Sequence, residues 1–137
     1  MVAILCLDQL TKWLIRHKMT VRQSIAVIKN VFHLTYIRNT GAAFSFFAGQ
    51  TKMITIVSII VIMVIVLCFA RLPGELKLWR FAISLVLAGA LGNLIDRLRF
   101  GYVVDFIDLR FCPIFNVADL AIFIGIALLL WEMAQIP

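Results

Sequence analysis

Between Lys52 and Arg71 the chain runs for eighteen residues, Met53 to Ala70, without a charged side chain. An α-helix rises 1.5 Å per residue, so about 20 residues cross the roughly 30 Å hydrocarbon core of a bilayer. In hydrocarbon each backbone N–H and C=O must find its partner within the protein, which makes such a run a helix. The composition fits a bilayer as solvent. Apolar residues make up 64% of the chain and charged ones 15%, against roughly 45–50% and 25% in a soluble domain. At 137 residues this is one membrane-embedded domain.

Three more runs complete the pattern. Spans are expected over about 1–17, 52–70, 78–98 and 115–134, joined by long connections at 18–51 and 99–114 and a tight turn at 71–77. The first run is short and carries Asp8 and Lys12, so the chain is expected to open inside that span or just ahead of it. In the third, Ala88 and Gly92 suit close helix contact. Val31 to Ile37 alternates, with Phe32, Leu34 and Tyr36 on one face and His33 and Thr35 on the other, and a turn signal follows at Asn39-Thr40-Gly41. Phe44, Phe46 and Phe47 come next. The expected fold is an all-α integral membrane protein of four transmembrane helices. A small sheet between the first and second spans is expected to lie at the interface as a movable cover over 31–47.

Four spans place both long connections on one side. Asn93, Asp96 and Arg97 close the third run where Asn116 and Asp119 open the fourth, so these groups gather with Asp105 at one end of the bundle. Lysine and arginine favour the cytoplasmic side. Here, though, Lys18, Arg22, Lys29, Arg38, Arg99 and Arg110 lie in the long connections, against Arg71, Lys77 and Arg80 at the turn end. Charge counting leaves the orientation open.

Several function classes are disfavoured. The net charge of +6 comes without any nucleic-acid-binding pattern, and basic residues in a membrane protein sit near headgroups. Cys6 and Cys68 lie in apolar runs as small hydrophobes, and Cys112 is a free loop thiol. Neither a disulfide framework nor a zinc spacing is present, and no metal site is expected. Asp8 and Lys12 interrupt the first run and no basic stretch precedes it, so it does not read as a signal peptide. His17 and His33, the two histidines, show no spacing that would activate Ser45 or Cys112.

The carboxylates carry more. Two aspartates held close cannot both ionise easily, so one keeps a proton and the pair offers an acid and a base together. Asp105 follows Gly101 in an extended piece and Asp119 begins a helix, which lets them approach from different elements. A base that deprotonates water and an acid that protonates a carbonyl oxygen suffice for peptide hydrolysis. The alternative is a pair of interface aspartates that cap helices or pair with Arg97 and Arg99. Asp8 and Lys12, four apart on one helical face, read as structural support more than chemistry.

Five stretches carry a family resemblance. Asp8-Gln-Leu-Thr-Lys12, Arg38-Asn-Thr-Gly-Ala-Ala-Phe-Ser45, Gly89-Ala-Leu-Gly-Asn-Leu-Ile-Asp-Arg97, Val104-Asp-Phe-Ile-Asp108 and Phe115-Asn-Val-Ala-Asp119 resemble, in order, the motifs of bacterial lipoprotein signal peptidase (signal peptidase II). The resemblance implies an aspartic endopeptidase of the bacterial inner membrane, multi-pass, with both termini cytoplasmic and the active site at the periplasmic face. Its sheet would be extracytoplasmic. Its substrate would be a prolipoprotein, cut just before the diacylglyceryl-modified cysteine. By position, Asp105 and Asp119 match the catalytic dyad. Asn93, Arg97 and Asn116 match surrounding polar residues, Asn39 matches the turn of the sheet, and Asp8, Lys12 and Asp96 match scaffold positions. Ala88, Cys112 and Leu120 depart from the usual glycine, tryptophan and serine. Expected partners are the lipidated prolipoprotein and membrane lipids, with no nucleic acid, no cofactor and a monomeric enzyme. The rival readings are a small proton-coupled carrier or subunit, since intramembrane acids often mark proton relays, and a structural assembly subunit.

Overall fold

A computed structural model describes residues 1–41 and 50–135. The elements run α1 (Val2–Lys18), β1 (Ser24–Ile28), β2 (Phe32–Asn39), α2 (Thr51–Arg71), α3 (Lys77–Phe100), β3 (Val103–Asp108) and α4 (Val117–Ala134). The expected aromatic edge at Phe44, Phe46 and Phe47 lies outside the described residues.

Three helices, α2, α3 and α4, are long and apolar enough to cross a membrane, and the protein is a multi-pass membrane protein. Its apolar side chains point outward in bulk. Ile56, Ile60, Met63 and Leu67 on α2, and Phe123, Leu130 and Trp131 on α4, are exposed, as lipid-facing side chains must be. α3 is the central post. It packs against each of the other helices and buries Ala82, Leu85, Leu87, Ala88, Gly89, Gly92, Asn93, Leu94 and Asp96. Small residues let the backbones close in: a Cβ added at Gly89 would run into the Ala118 carbonyl oxygen of α4, and one at Gly125 would sit 2.6 Å from the Ala82 carbonyl oxygen of α3. Gly92 instead faces the Asp8 carboxylate of α1. Ala88 and Gly92 were legible as contact residues from their size, whereas Gly89 and Gly125 were not singled out.

The sheet is antiparallel, in the order β1-β2-β3. β1 and β2 form a hairpin between α1 and α2, turned at Asn30 with φ 61°. The third strand comes from the other long connection, so the sheet stitches the two connections together rather than belonging to the first alone. α3 ends at Gly101, whose N–H still donates to the Arg97 carbonyl at 3.0 Å and whose φ of 77° then turns the chain aside. That left-handed turn, open to glycine at little cost, releases the chain directly into β3. On its other side β3 is bridged by Phe115, whose N–H donates to the Ile107 carbonyl at 3.1 Å and whose carbonyl accepts from the Ile107 N–H at 2.8 Å. Ile15, Met19, Tyr36, Val104 and Phe106 pack together under the sheet, against the end of α1. Farther from the site, Thr35 donates to Asp108 at 2.9 Å and the Arg110 guanidinium pairs with Asp108 at 3.3 Å, which fixes β2 against the end of β3.

Candidate active site

The sheet and the helix ends bring four polar elements to one place. β2 pairs with β3 so that Ile37 faces Asp105 and Asn39 faces Val103. Asn39 and Asp105 are therefore diagonal neighbours on one face, within reach of each other, and the Asn39 amide donates to Asp105 Oδ2 at 2.9 Å. The Asn39 Oδ1 accepts from the Gly41 N–H at 2.9 Å. That is an Asx-type turn of the kind Asn-Thr-Gly favours.

From the other flank, the Phe115 bridge carries Asn116 alongside Asp105. Asn116 is the N-cap of α4: its side-chain oxygen accepts from the Asp119 N–H at 2.9 Å, and Asp119 Oδ2 accepts from the Asn116 N–H at 3.3 Å, a reciprocal capping box. The Asn116 amide, fully buried, donates to Asp105 Oδ1 at 2.7 Å, with Asn93 Oδ1 and the Val104 carbonyl at 3.2 and 3.3 Å. One asparagine thus ties both aspartates. Asn93 on α3 completes the frame, its amide donating to Asp119 Oδ1 at 2.8 Å.

Behind this frame lies a buried ionic knot. Lys12 sits 2.9 Å from Asp8 and 3.2 Å from Asp96, with side chains at most 3% exposed, and donates to Asn93 Oδ1 at 3.0 Å. This is no surface pair of negligible worth. Each carboxylate also holds a backbone N–H on another element: Asp8 accepts from Ala118 at 2.9 Å, and Asp96 from Val104 at 3.0 Å. Through these bonds Asp8 ties α1 to α4 and Asp96 ties α3 to β3. Gln9 joins them, donating to Asp8 at 3.1 Å and to Asp96 and the Gly92 carbonyl at 3.2 Å each. Sequence reasoning gave Gln9 no role, and its place beside Asp8 on a helix turned toward α3 was the available signal. Arg97 does not pair with either aspartate in hydrogen-bond range; its guanidinium meets the Gly41 carbonyl at 3.4 Å.

The two aspartates differ in environment. Asp105 is 3% exposed, whereas Asp119 is half-buried. Burial first, and the negative charge of Asp119 second, push Asp105 up to about 7, against the pull of the Asn39 and Asn116 amides. A carboxyl that titrates near neutrality beside a second, more accessible one is equipped to give and take protons at working pH.

Matches to known proteins decide the family. The family model described as Signal peptidase (SPase) II matches residues 1–135. The chain belongs to the signal peptidase II family. The lipoprotein signal peptidase of Moorella thermoacetica is 48% identical over 130 residues, covering 95% of this chain and 87% of that protein. That of Geobacter sulfurreducens is 46% identical over 138 residues, covering 96% and 86%. Two bacterial membrane enzymes solved by the in meso method superpose with TM-scores of 0.93 and 0.90 at 37% and 36% identity. They cover 98% and 99% of this chain and 84% and 90% of theirs. This membership makes the chain a peptidase and removes the carrier and assembly-subunit readings.

Proposed function

We propose that this signal peptidase II removes the signal peptide from diacylglyceryl-modified prolipoproteins, cutting just before the lipidated cysteine, with Asp105 and Asp119 as the catalytic pair. The observation that carries the assignment is the Asn116 side chain, which binds the Asp105 carboxylate and the Asp119 backbone at once and so holds two carboxyl groups from different elements in one site. Asp119, the more accessible, takes the proton from an attacking water. Asp105, held near 7, donates to the carbonyl oxygen; as the tetrahedral intermediate collapses, Asp119 passes the water's proton to the leaving amine and Asp105 takes its proton back from the hydroxyl as the carbonyl reforms. Asn39, Asn93 and Asn116 hold the carboxyl oxygens, and Arg97 borders the site.

α1 serves as a fourth span. It turns Asp8 and Lys12 inward while Leu7, Leu10, Trp13 and Leu14 face out, as a short lipid-exposed helix would. The spans over about 1–17, 52–70, 78–98 and 115–134 then carry the site to the periplasmic surface of the bacterial inner membrane. There a monomer meets its lipidated substrate sideways through the bilayer, among membrane lipids. The test is purified protein in detergent with a diacylglyceryl-modified prolipoprotein and its unmodified form. Cleavage of the first alone is expected; an intact modified substrate would sink the proposal.

Asp105 also sets a pH dependence. The acid must keep its proton, so activity is expected to fall as pH rises through about 7. The Asn39 hydrogen bond favours the ionised carboxylate. Asn39→Ala therefore raises Asp105 further and moves the alkaline limb of the kcat profile to higher pH. A limb that stays put or moves down removes Asp105 as the acid.

A further inference from the structure

We infer that Lys12 is a positioning residue for the peptidase reaction, acting through Asn93 to aim the amide that holds Asp119. The inference rests on the reading of Asp105 and Asp119 as the catalytic pair, and it goes beyond the scaffold role that an ion pair with Asp8 and Asp96 would fill. Lys12 is 2% exposed, and its ammonium has three N–H donors and no acceptor. Two donors meet Asp8 and Asp96 and the third meets Asn93 Oδ1. Asp8 shares α1 with Lys12, and the Asp96 carboxylate already ties Lys12 to α3. The contact to a neutral amide serves something else.

That contact fixes which way Asn93 points. An ammonium can face only the oxygen of a side-chain amide, and the Asn116 amide approaches the same oxygen at 3.2 Å. Asn93 Nδ2 is left aimed at Asp119 Oδ1, 2.8 Å away. Turned over, Asn93 would set its NH2 against two donors and its oxygen against a carboxylate, which is unfavourable at every contact. Lys12 thus locks a donor onto Asp119 from two bonds away. Outer contacts of this kind orient inner ligands, and removing them costs about 10–100-fold where measured in metal sites. The cation also lies close enough to act on Asp105, where its charge favours the ionised form. The charged groups around the relay are Asp8 on α1, Asp96 and Arg97 on α3, Asp105 on β3 and Asp119 on α4.

The experiment compares kcat, KM and pH profiles on a diacylglyceryl-modified prolipoprotein, with folded protein verified by thermal unfolding in detergent. Removing Lys12 alone strands two buried carboxylates, which is strongly destabilising. The working variant is therefore Asp8→Asn/Lys12→Met, which retires one negative charge with the positive one. It is expected to lose about 10–100-fold in kcat with KM within about threefold, and to move the alkaline limb of kcat to higher pH, since Asp105 without the nearby cation holds its proton more readily. Asp8→Asn/Lys12→Gln, which restores a donor to Asn93, should recover most of the kcat. Gln9→Ala weakens the same knot without touching Asn93 and should keep kcat within about threefold of the parent. A Met pair variant with parental kcat, one that loses its fold altogether, or a Gln pair variant no better than the Met one overturns the inference. Asp119→Asn is run in parallel. Near-normal turnover there overturns the dyad itself, whereas an inactive Asp119→Asn beside a fully active Met pair variant overturns the role of Lys12 alone.

Discussion

Asp105→Asn and Asp119→Asn are each expected to lower cleavage by about 1,000-fold or more while leaving the protein folded, because each removes one half of the proposed acid–base pair. The double variant should be little worse than either single, since groups that act as a unit do not contribute additively. Single-turnover assays on a lipidated prolipoprotein check both points, and near-normal turnover by either single variant removes that aspartate from the mechanism. The two should part company in stability. Asp105 titrates at about 7 in the folded protein against an ordinary value of 3.8, so the folded state binds its proton more tightly than the unfolded chain. The contribution is fully present below about 3.8 and is lost as pH rises through 7, where the ionised carboxylate opposes folding by up to about 4 kcal/mol. Asp105→Asn carries no such charge. Its thermal stability relative to the parent should therefore rise between pH 4 and pH 8, and a difference that is flat with pH would contradict the raised Asp105. A buried carboxyl held against its own charge is a local cost that the rest of the fold sustains.

Gly89→Ala is expected to cost activity out of proportion to its size. The added Cβ would meet the Ala118 carbonyl oxygen and crowd Ile122, forcing α4 away from α3 one residue before Asp119. Overpacking of this kind costs about 1–3 kcal/mol, and a displacement of about 1 Å at a reacting group costs about 100-fold in rate. Gly125→Ala makes a comparable clash with the Ala82 carbonyl oxygen, but six residues and about 9 Å farther along α4. It should destabilise to a similar degree with a much smaller loss of kcat. Gly74, whose added Cβ meets nothing within 4 Å, supplies the neutral control as Gly74→Ala. Measuring kcat and thermal unfolding for all three checks this. Equal losses of kcat at positions 89 and 125 would show that the helix contact supports folding alone.

The helices were legible because hydrocarbon leaves the backbone no other choice: α2, α3 and α4 follow the apolar runs closely. β2 declared itself by alternation and Asn39-Thr40-Gly41 by its turn chemistry. β1 did not. Ser24-Ile-Ala-Val-Ile28 is exposed along its whole length, so no burial period is written into it, and its pairing is set by β2. Asp105 and Asp119 stood out as candidates because charges, scarce in the chain, concentrate at the hairpin that holds them, yet their approach depends on the Ile107–Phe115 bridge and on the capping of α4 by Asn116. Both are long-range events that local pattern does not encode. Likewise, Asp8 and Lys12 showed their shared face through their spacing, but the burial that turns a weak pair into a knot comes from α3.

Asp8 on the first helix accepts from Ala118 on the last, 110 residues later, and this separation bears on how the enzyme is born. A chain emerging from the ribosome inserts α1 and the hairpin early, then α3 and β3 with Asp105. At that stage Asp105 lacks Asn116, lacks the Asp119 carboxyl, and Asp8 has no N–H of α4 to hold. Every contact that pairs the two acids waits for the final helix to enter the bilayer. The proposed pair can therefore assemble only after α4 has been made and packed against α1 and α3.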